Sequence, residues 1–341
     1  MKRPTQADVA RLAGVSRATV SYVISGRAKD DISITEETRQ RVLQAIERLG
    51  YQPDASAQSL RRGSTRTIGL LIPDLHNPHY WQIVRGVEEE VASQGYDLLF
   101  NSTSLNPERE RECVRALLRR RIDGLILLLT YPTTLLEEAR ALIRPRSPLV
   151  LLGSAAQDMD TVLPSHGQGA TQLMAHLLEL GHRRIGLVLG VATPELGADR
   201  LAAYQSALHD HGLPVDETLI ERCGSALDDG YQASWRLLQR QPRPTAIVVI
   251  NDLLAIGALR AAADLGLRVP AEVSVASFDD IEVAAYLCPP LTTVRVNAEE
   301  MGTTAARLLF ARLHDPERPP QHIRLPAQLV VRGSTGPAPA A

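Results

Sequence analysis

From residue 68 to residue 277 short apolar runs alternate with helix-patterned stretches, and that alternation limits the fold more than any other feature of the chain. The runs fall at 68–72, 97–100, 124–129, 149–152, 185–189, 246–250 and 273–277, with helical patterns at 80–94, 108–120, 167–180, 199–211, 228–240 and 253–265 between them. Strands joined through helices run parallel and are covered by helices on both faces. There are too many strands for one compact sheet, so the body is expected to form two lobes. Parallel sheets bind ligands outside the carboxyl ends of their strands, which is where polar residues should carry function.

A segment of different character precedes this body. Thr5 to Gly26 reads as two short helices joined by a tight turn. Thr5 is the expected N-cap, with Asp8 as its capping-box acid. Val9, Ala10 and Ala13 give the first helix one apolar face. Gly14 can take the left-handed conformation that ends a helix. Ser16 then caps a second helix, with Val20, Val23 and Ile24 facing inward and Arg17, Ala18, Ser21 and Tyr22 facing outward. A helix-turn-helix presents those outer positions to the DNA major groove; the same spacing also fits an ordinary helical hairpin. Thr35-Glu36-Glu37-Thr38 opens a third helix, with Val42, Leu43, Ile46 and Leu49 at helical spacing and Gly50 as its stop.

Charge separates the two parts. Residues 1–66 hold 12 of the 37 Lys/Arg and 7 of the 39 Asp/Glu, so a basic head stands on an acidic body. That division suits a polyanion-binding module joined to a sensor. Met1-Lys2-Arg3 is followed by polar residues rather than an apolar leader, and no apolar run approaches the ~20 residues that span a bilayer. A cytoplasmic, nucleoid-associated protein without a membrane partner is therefore expected. Cys113, Cys223 and Cys288 are widely spaced and odd in number, and read as reduced, mostly buried thiols. No cofactor or metal motif is found, nor a nucleophile elbow, Walker loop or dinucleotide fingerprint, so an enzyme is not expected.

Several motifs recur in a set order. Tyr51-Gln52-Pro53 follows the third helix. Pro73-Asp74 and Asn77-Pro78 flank the loop after the first body strand. Further on stand Leu180-Gly181-His182-Arg183-Arg184-Ile185, Asn251-Asp252, Phe278-Asp279-Asp280 and Pro290-Leu291-Thr292-Thr293-Val294. In these the chain resembles the lactose-repressor (LacI/GalR) family of bacterial transcription regulators, over nearly its whole length. The resemblance implies an all-α helix-turn-helix headpiece at 1–50, a hinge at 51–65, and an α/β periplasmic-binding-protein-like core of two doubly wound parallel-sheet lobes. The first lobe would comprise 66–163 and 294–325, the second 164–293 and 326–335, with crossings near 163–165, 290–295 and 325–328. The tail 336–341 is low in complexity and expected to be disordered. It carries no leucine heptad, so a homodimer is expected rather than the family's tetramer.

The resemblance also places the sites. Arg17, Ala18 and Tyr22 would read bases in double-stranded operator DNA; Arg17 has the fork that grips guanine. Thr5, Ser16, Thr19, Ser21 and Ser25 are candidate phosphate ligands, although plain capping also explains Thr5 and Ser16. In the hinge, Ala57 and Leu60 would form a short helix whose leucine wedges into the minor groove; a solvated linker is the other reading. Asp54 and Gln58 depart from the family's asparagine and arginine there.

In the body, Arg200 matches the family's effector-binding arginine. Asn251 and Asp279 follow apolar strands, where a cleft would lie; helix capping is their other reading. Asp279 accepts hydroxyl donors while Asn251 and Arg200 supply donors, a set that suits a polyhydroxylated effector, a sugar or sugar phosphate, with a nucleobase as the other reading. His79, Tyr80 and Trp81 could supply a stacking surface, with core packing as the alternative for Trp81. Ser154 and Ser225 are weaker candidates. Asp252 and Asp280 are expected to cap helices or tie loops, and His182 to mark a surface loop. Val296, Gly153 and Ser165-His166-Gly167 depart from the pattern and limit any naming of the effector. The function expected is a sequence-specific transcription regulator, usually a repressor in this family, controlled by an effector between the lobes. A solute-binding protein of the transport class is the alternative that the body alone would fit.

Overall fold

The computed structural model describes residues 4–25, 34–52, 63–131, 136, 148–190 and 194–340. The chain divides into Met1–Thr65 and Arg66–Ala341.

Among its described residues the N-terminal unit holds three helices, α1 (Gln6–Ala13), α2 (Arg17–Ser25) and α3 (Glu36–Leu49). At the start of α1 the Thr5 N–H and hydroxyl both donate to the Asp8 carboxylate, at 2.9 and 2.7 Å. Gly14 ends the helix at φ 65°, the left-handed region that a Cβ disfavours. The Thr19 N–H donates to Ser16 Oγ at 3.1 Å and so caps α2. Val9, Val20 and Val42 are fully buried at the junction of the three helices, with Ala10, Ala13, Ala45 and Tyr51 around them. Leu43 does not join this core. It is 41% exposed, and Ala45 takes the inner position.

The described residues of the body form two six-stranded sheets. Its elements run β1 (Thr67–Ile72), α4 (Pro78–Ser93), β2 (Asp97–Ser102), α5 (Pro107–Arg119), β3 (Gly124–Leu128), β4 (Leu149–Leu152), β5 (Asp160–Pro164), α6 (His166–Glu179), β6 (Ile185–Leu189), α7 (Pro194–Asp210), β7 (Ile220–Arg222), α8 (Leu227–Leu238), β8 (Ala246–Val249), α9 (Asp252–Asp264), β9 (Ser274–Asp279), β10 (Thr292–Val296), α10 (Ala298–His314), β11 (His322–Leu325) and β12 (Ala327–Val330). The first sheet has the order β11-β5-β4-β3-β1-β2 and is parallel throughout. The second has the order β12-β10-β9-β8-β6-β7 and is parallel except at its edge, where β12 runs antiparallel to β10. Strands such as β3, β4 and β8 are almost wholly apolar because helices cover both faces.

The chain passes from the first sheet to the second after Pro164, returns after Val296, and crosses again after Leu325. The return therefore falls at Asn297, later than the expected 290–295, and residues 294–296 belong with the second lobe. The reason is that β10 is paired along its length with β9 and β12.

Three further expectations differ from the structure. The tail is attached at least to Ala338, whose N–H donates to the Leu180 carbonyl at 2.8 Å, while Ser334 Oγ bonds Val275 and Thr292 at 2.6 and 2.8 Å. Most of these contacts use backbone atoms, which a low-complexity composition does not reveal. His182 is fully buried rather than on a surface loop, with its ring nitrogens within 2.9–3.0 Å of Thr245 Oγ1, Ser274 Oγ and the Gly336 carbonyl. Cys113 and Cys223 are half-buried and Cys288 is exposed, so the thiols are less enclosed than expected. Among the described residues no helix is long and apolar enough to cross a membrane.

Candidate functional site

The carboxyl ends of both sheets open onto one cavity of about 560 Å³, within the range of small-molecule sites. The first lobe supplies Asn77, His79 and Tyr80 from the start of α4. The second supplies His166 from the start of α6, Arg200 from α7, Asn251 after β8 and Asp279 at the end of β9. Five of the six effector residues expected from sequence thus line one wall system, as do Ser154 and Ser225.

Asp279 is the pivot of this wall. It is 6% exposed and held at φ 106°, a conformation costly for any residue but glycine. Its carboxylate accepts from Asn77 Nδ2 at 3.4 Å and lies 3.8 Å from His79 Nδ1, so it links one lobe to the other across the cleft. Asn77 also caps α4, accepting the His79 N–H at 3.0 Å. Asn251 uses its side-chain oxygen to cap α9, at 2.9 Å from the Leu254 N–H, which leaves its amide donors for a ligand. Capping and lining are therefore compatible roles for Asn251.

Arg200 lies 5.2 Å above the Phe278 ring, and its Nη2 donates to His166 Nε2 at 3.0 Å. Burial lowers the Arg200 pKa, against the raising effects of Asp279, Tyr80 and Asp199. Tyr80 is held firmly as the neutral phenol, first by burial and then by Asp279 and Asp74. Its ring meets that of His79 edge to face at 5.6 Å.

Behind this wall sits Asp252. One carboxylate oxygen accepts from Thr293 Oγ1 at 2.7 Å and from Ser277 Oγ; the other accepts the Ile281 N–H at 2.8 Å. Burial and the neighbouring Asp279 push its carboxyl up to about 7, against the lowering effect of those bonds. Asp252 holds β9, β10 and the loop that follows Asp279 in place; Asp280 ties the same region through Arg295 and Arg332, each at 2.6 Å.

Trp81 is not brought to the cavity. It stands one residue beyond Tyr80, about 100° further around α4. Its indole N–H donates to the Leu75 carbonyl at 3.1 Å, and its ring packs edge-on to Phe100 while 44% exposed. Val296 is buried and does not line the cavity. Sequence reasoning missed His166, Asp74, Asp199 and Arg324 as wall residues. For His166 a signal existed, since it opens the helix directly after a parallel strand.

In the headpiece Arg17 and Ala18 are exposed at the start of α2, and Thr19, Ser21 and Tyr22 are half-exposed along it. The Thr5 hydroxyl is engaged with Asp8, and the Ser16 hydroxyl lies 2.9 Å from Thr19 Oγ1. Ser25 closes the helix. Ala57 and Leu60, the expected hinge contacts, lie outside the described residues, as do Asp54 and Gln58. Among the described residues no group of three or more His, Cys, Asp or Glu is placed to hold a metal ion.

Comparisons with known proteins agree with this architecture. The model of bacterial regulatory proteins of the lacI family matches residues 5–54, and that of the periplasmic binding protein-like domain matches residues 174–335. The HTH-type transcriptional repressor PurR of Escherichia coli O1:K1 / APEC is 34% identical over 97% of this chain and 97% of its own. Among solved structures, a lac repressor dimer bound to operator and the anti-inducer ONPF superposes with a TM-score of 0.82, at 29% identity over 98% of this chain and 100% of that one. A complex of the transcriptional regulator CelR with cellobiose gives 0.70, at 32% identity over 97% of this chain and 100% of that one.

Proposed function

Because the chain belongs to the lacI family of bacterial regulatory proteins, we propose that its cleft takes a neutral, hydroxylated effector of the sugar class and that it represses transcription as a homodimer on a pseudopalindromic operator in the cytoplasm. The chain is a DNA-binding transcription regulator governed by a small-molecule effector. What is proposed is the effector's chemistry, the residues that hold it and the assembly.

The charge of the cavity wall carries the reading. Its carboxylates are Asp74, Asp199 and Asp279 and its guanidiniums are Arg200 and Arg324. A phosphate dianion would be desolvated with no surplus of positive charge to meet it. Neutral hydroxyls, by contrast, can donate to Asp279 and accept from Asn251 and Arg200. The Tyr80 ring beside them offers the apolar face that a pyranose or furanose needs.

Asp279 supplies the coupling. A hydroxyl that donates to it competes with, or adds to, the Asn77 and His79 contacts from the other lobe, and so shifts the balance of lobe orientations. Operator DNA then alters effector affinity by the same factor as the effector alters DNA affinity. Dimerisation is supported by the lac repressor dimer on its operator, which this chain matches over nearly its full length.

Calorimetric titration of the full chain with cellobiose, D-ribose, D-ribose 5-phosphate, D-gluconate and adenine tests the chemistry. Binding of a neutral sugar, lost in Arg200→Ala, is the expected outcome. Tighter binding of the phosphate, the acid or the base would replace the neutral-sugar reading with that class.

A further inference from the structure

One contact in the cleft wall fixes a protonation state. Arg200 Nη2 lies 3.0 Å from His166 Nε2. A guanidinium has five donors and no acceptor, so the imidazole nitrogen must accept. His166 therefore carries its proton on Nδ1. An imidazolium has a donor on each nitrogen and cannot make this contact. Nδ1 is itself buried without a hydrogen-bond partner among the described residues, so the bond to Arg200 is what selects the tautomer. The start of α6 is also seated close to α7, since a Cβ at Gly167 would lie 3.7 Å from the Asp199 Cβ.

We infer that His166 is a positioning residue for the effector: its neutral imidazole aims Arg200 into the cleft, and protonation of His166 competes with effector binding. The inference rests on the reading of the cleft as the effector site. The charged and titratable groups around His166 in the cavity wall are Arg200 and Asp199 from α7, His79 and Tyr80 from α4, Asp74 from the loop before α4, Asp279 from β9 and Arg324 from β11. Burial first, then Arg200, then His79 hold its pKa well below the ordinary histidine value. The pair is thus intact at neutral pH and parts in acid. When it parts, two cations share one wall and the guanidinium loses its bond to His166.

Side-chain NMR on the full chain tests this without knowledge of the effector. Arginine guanidinium and histidine ring nitrogens are followed against pH, with Arg200 and His166 assigned by Arg200→Lys and His166→Gln. In the wild type at neutral pH, slow guanidinium rotation of Arg200 and an Nδ1–H tautomer of His166 are expected. Both signatures should be lost in one concerted step on acidification. His166→Gln keeps an acceptor and should retain slow rotation with no pH step. His166→Leu should lose it at every pH, while operator binding by the same sample shows that the chain is folded. Unchanged Arg200 signals in His166→Leu, or through the protonation of His166, would overturn the inference. Affinity for the compounds titrated above should fall about tenfold on acidification in the wild type and stay flat in His166→Gln. If none of those compounds binds, the sugar reading fails, and the NMR result still decides whether His166 positions Arg200.

Discussion

At the scale of single residues, what a side chain does here follows from which partner its position allows. Arg17 stands exposed at the first position of α2, where a bidentate donor can reach a guanine edge. Arg17→Ala should relax operator preference at one base pair by about 1–3 kcal/mol, measured by competition among single-base operator variants. A uniform loss across all variants would instead place Arg17 on phosphate. Asp252 makes a prediction of a different kind. Its carboxyl is raised from an ordinary 3.8 to about 7, chiefly by burial, so the folded chain holds a proton that the unfolded chain has released. The stability this group confers is complete below the ordinary value and is lost as pH rises through about 7. Urea midpoints should therefore decline over that window in the wild type relative to Asp252→Asn, which has no such proton. Parallel profiles would show that the carboxyl titrates normally. Individual residues were legible in sequence where a motif fixed their neighbours. Asn251 and Asp279 follow buried strands and reach the cleft, whereas Trp81 was misplaced because a one-residue step around α4 sends adjacent aromatics to different surroundings. His166 was read only as a departure from the family pattern, because its partner, Arg200, lies 34 residues away.

At the scale of elements, glycine pairs decide how closely helices pack. A Cβ at Gly86 in α4 would stand 2.0 Å from the Glu299 carbonyl oxygen in α10, and one at Gly302 in α10 would stand 2.2 Å from the Ile83 carbonyl oxygen. The second lobe repeats the device, with Gly230 in α8 and Gly257 in α9 each leaving 2.4 Å to a carbonyl oxygen of the facing segment. Gly→Ala normally stabilises a helix interior by up to about 1 kcal/mol. Here the added methyl meets backbone, which cannot rotate away, and overpacking costs about 1–3 kcal/mol. Gly302→Ala is accordingly expected to lower the thermal midpoint. A rise would mean that the two helices separate without cost. Ion pairs from Arg85 to Glu299 and from Arg307 to Glu90 border the same seam. Exposed as the arginines are, they add little. The strongly apolar strands of both sheets were readable from their composition. The short and polar ones were not: β11 reads His-Ile-Arg-Leu, with His322 and Arg324 exposed, so its place in the first sheet comes from pairing with β5 rather than from any pattern of its own.

At the scale of the whole molecule, the two-lobe body and the basic head follow from alternation and charge, both visible in the sequence. The exact return crossing and the attachment of the tail were not visible, because backbone pairing sets both. The body places the two sheets' carboxyl ends on one cavity, and Asp279 joins the lobes there through Asn77 and His79. In the proposed reading an effector that engages Asp279 shifts lobe orientation and, through it, DNA affinity. The most direct test is fluorescence anisotropy of the full chain on a duplex selected from a randomised library, titrated with and without the neutral sugar that binds in calorimetry. The predicted result is specific, saturable binding whose affinity shifts about 5–150-fold with the sugar, while Arg200→Ala binds the same duplex equally well and does not respond. Operator affinity that stays constant while the sugar occupies the cleft would contradict the account.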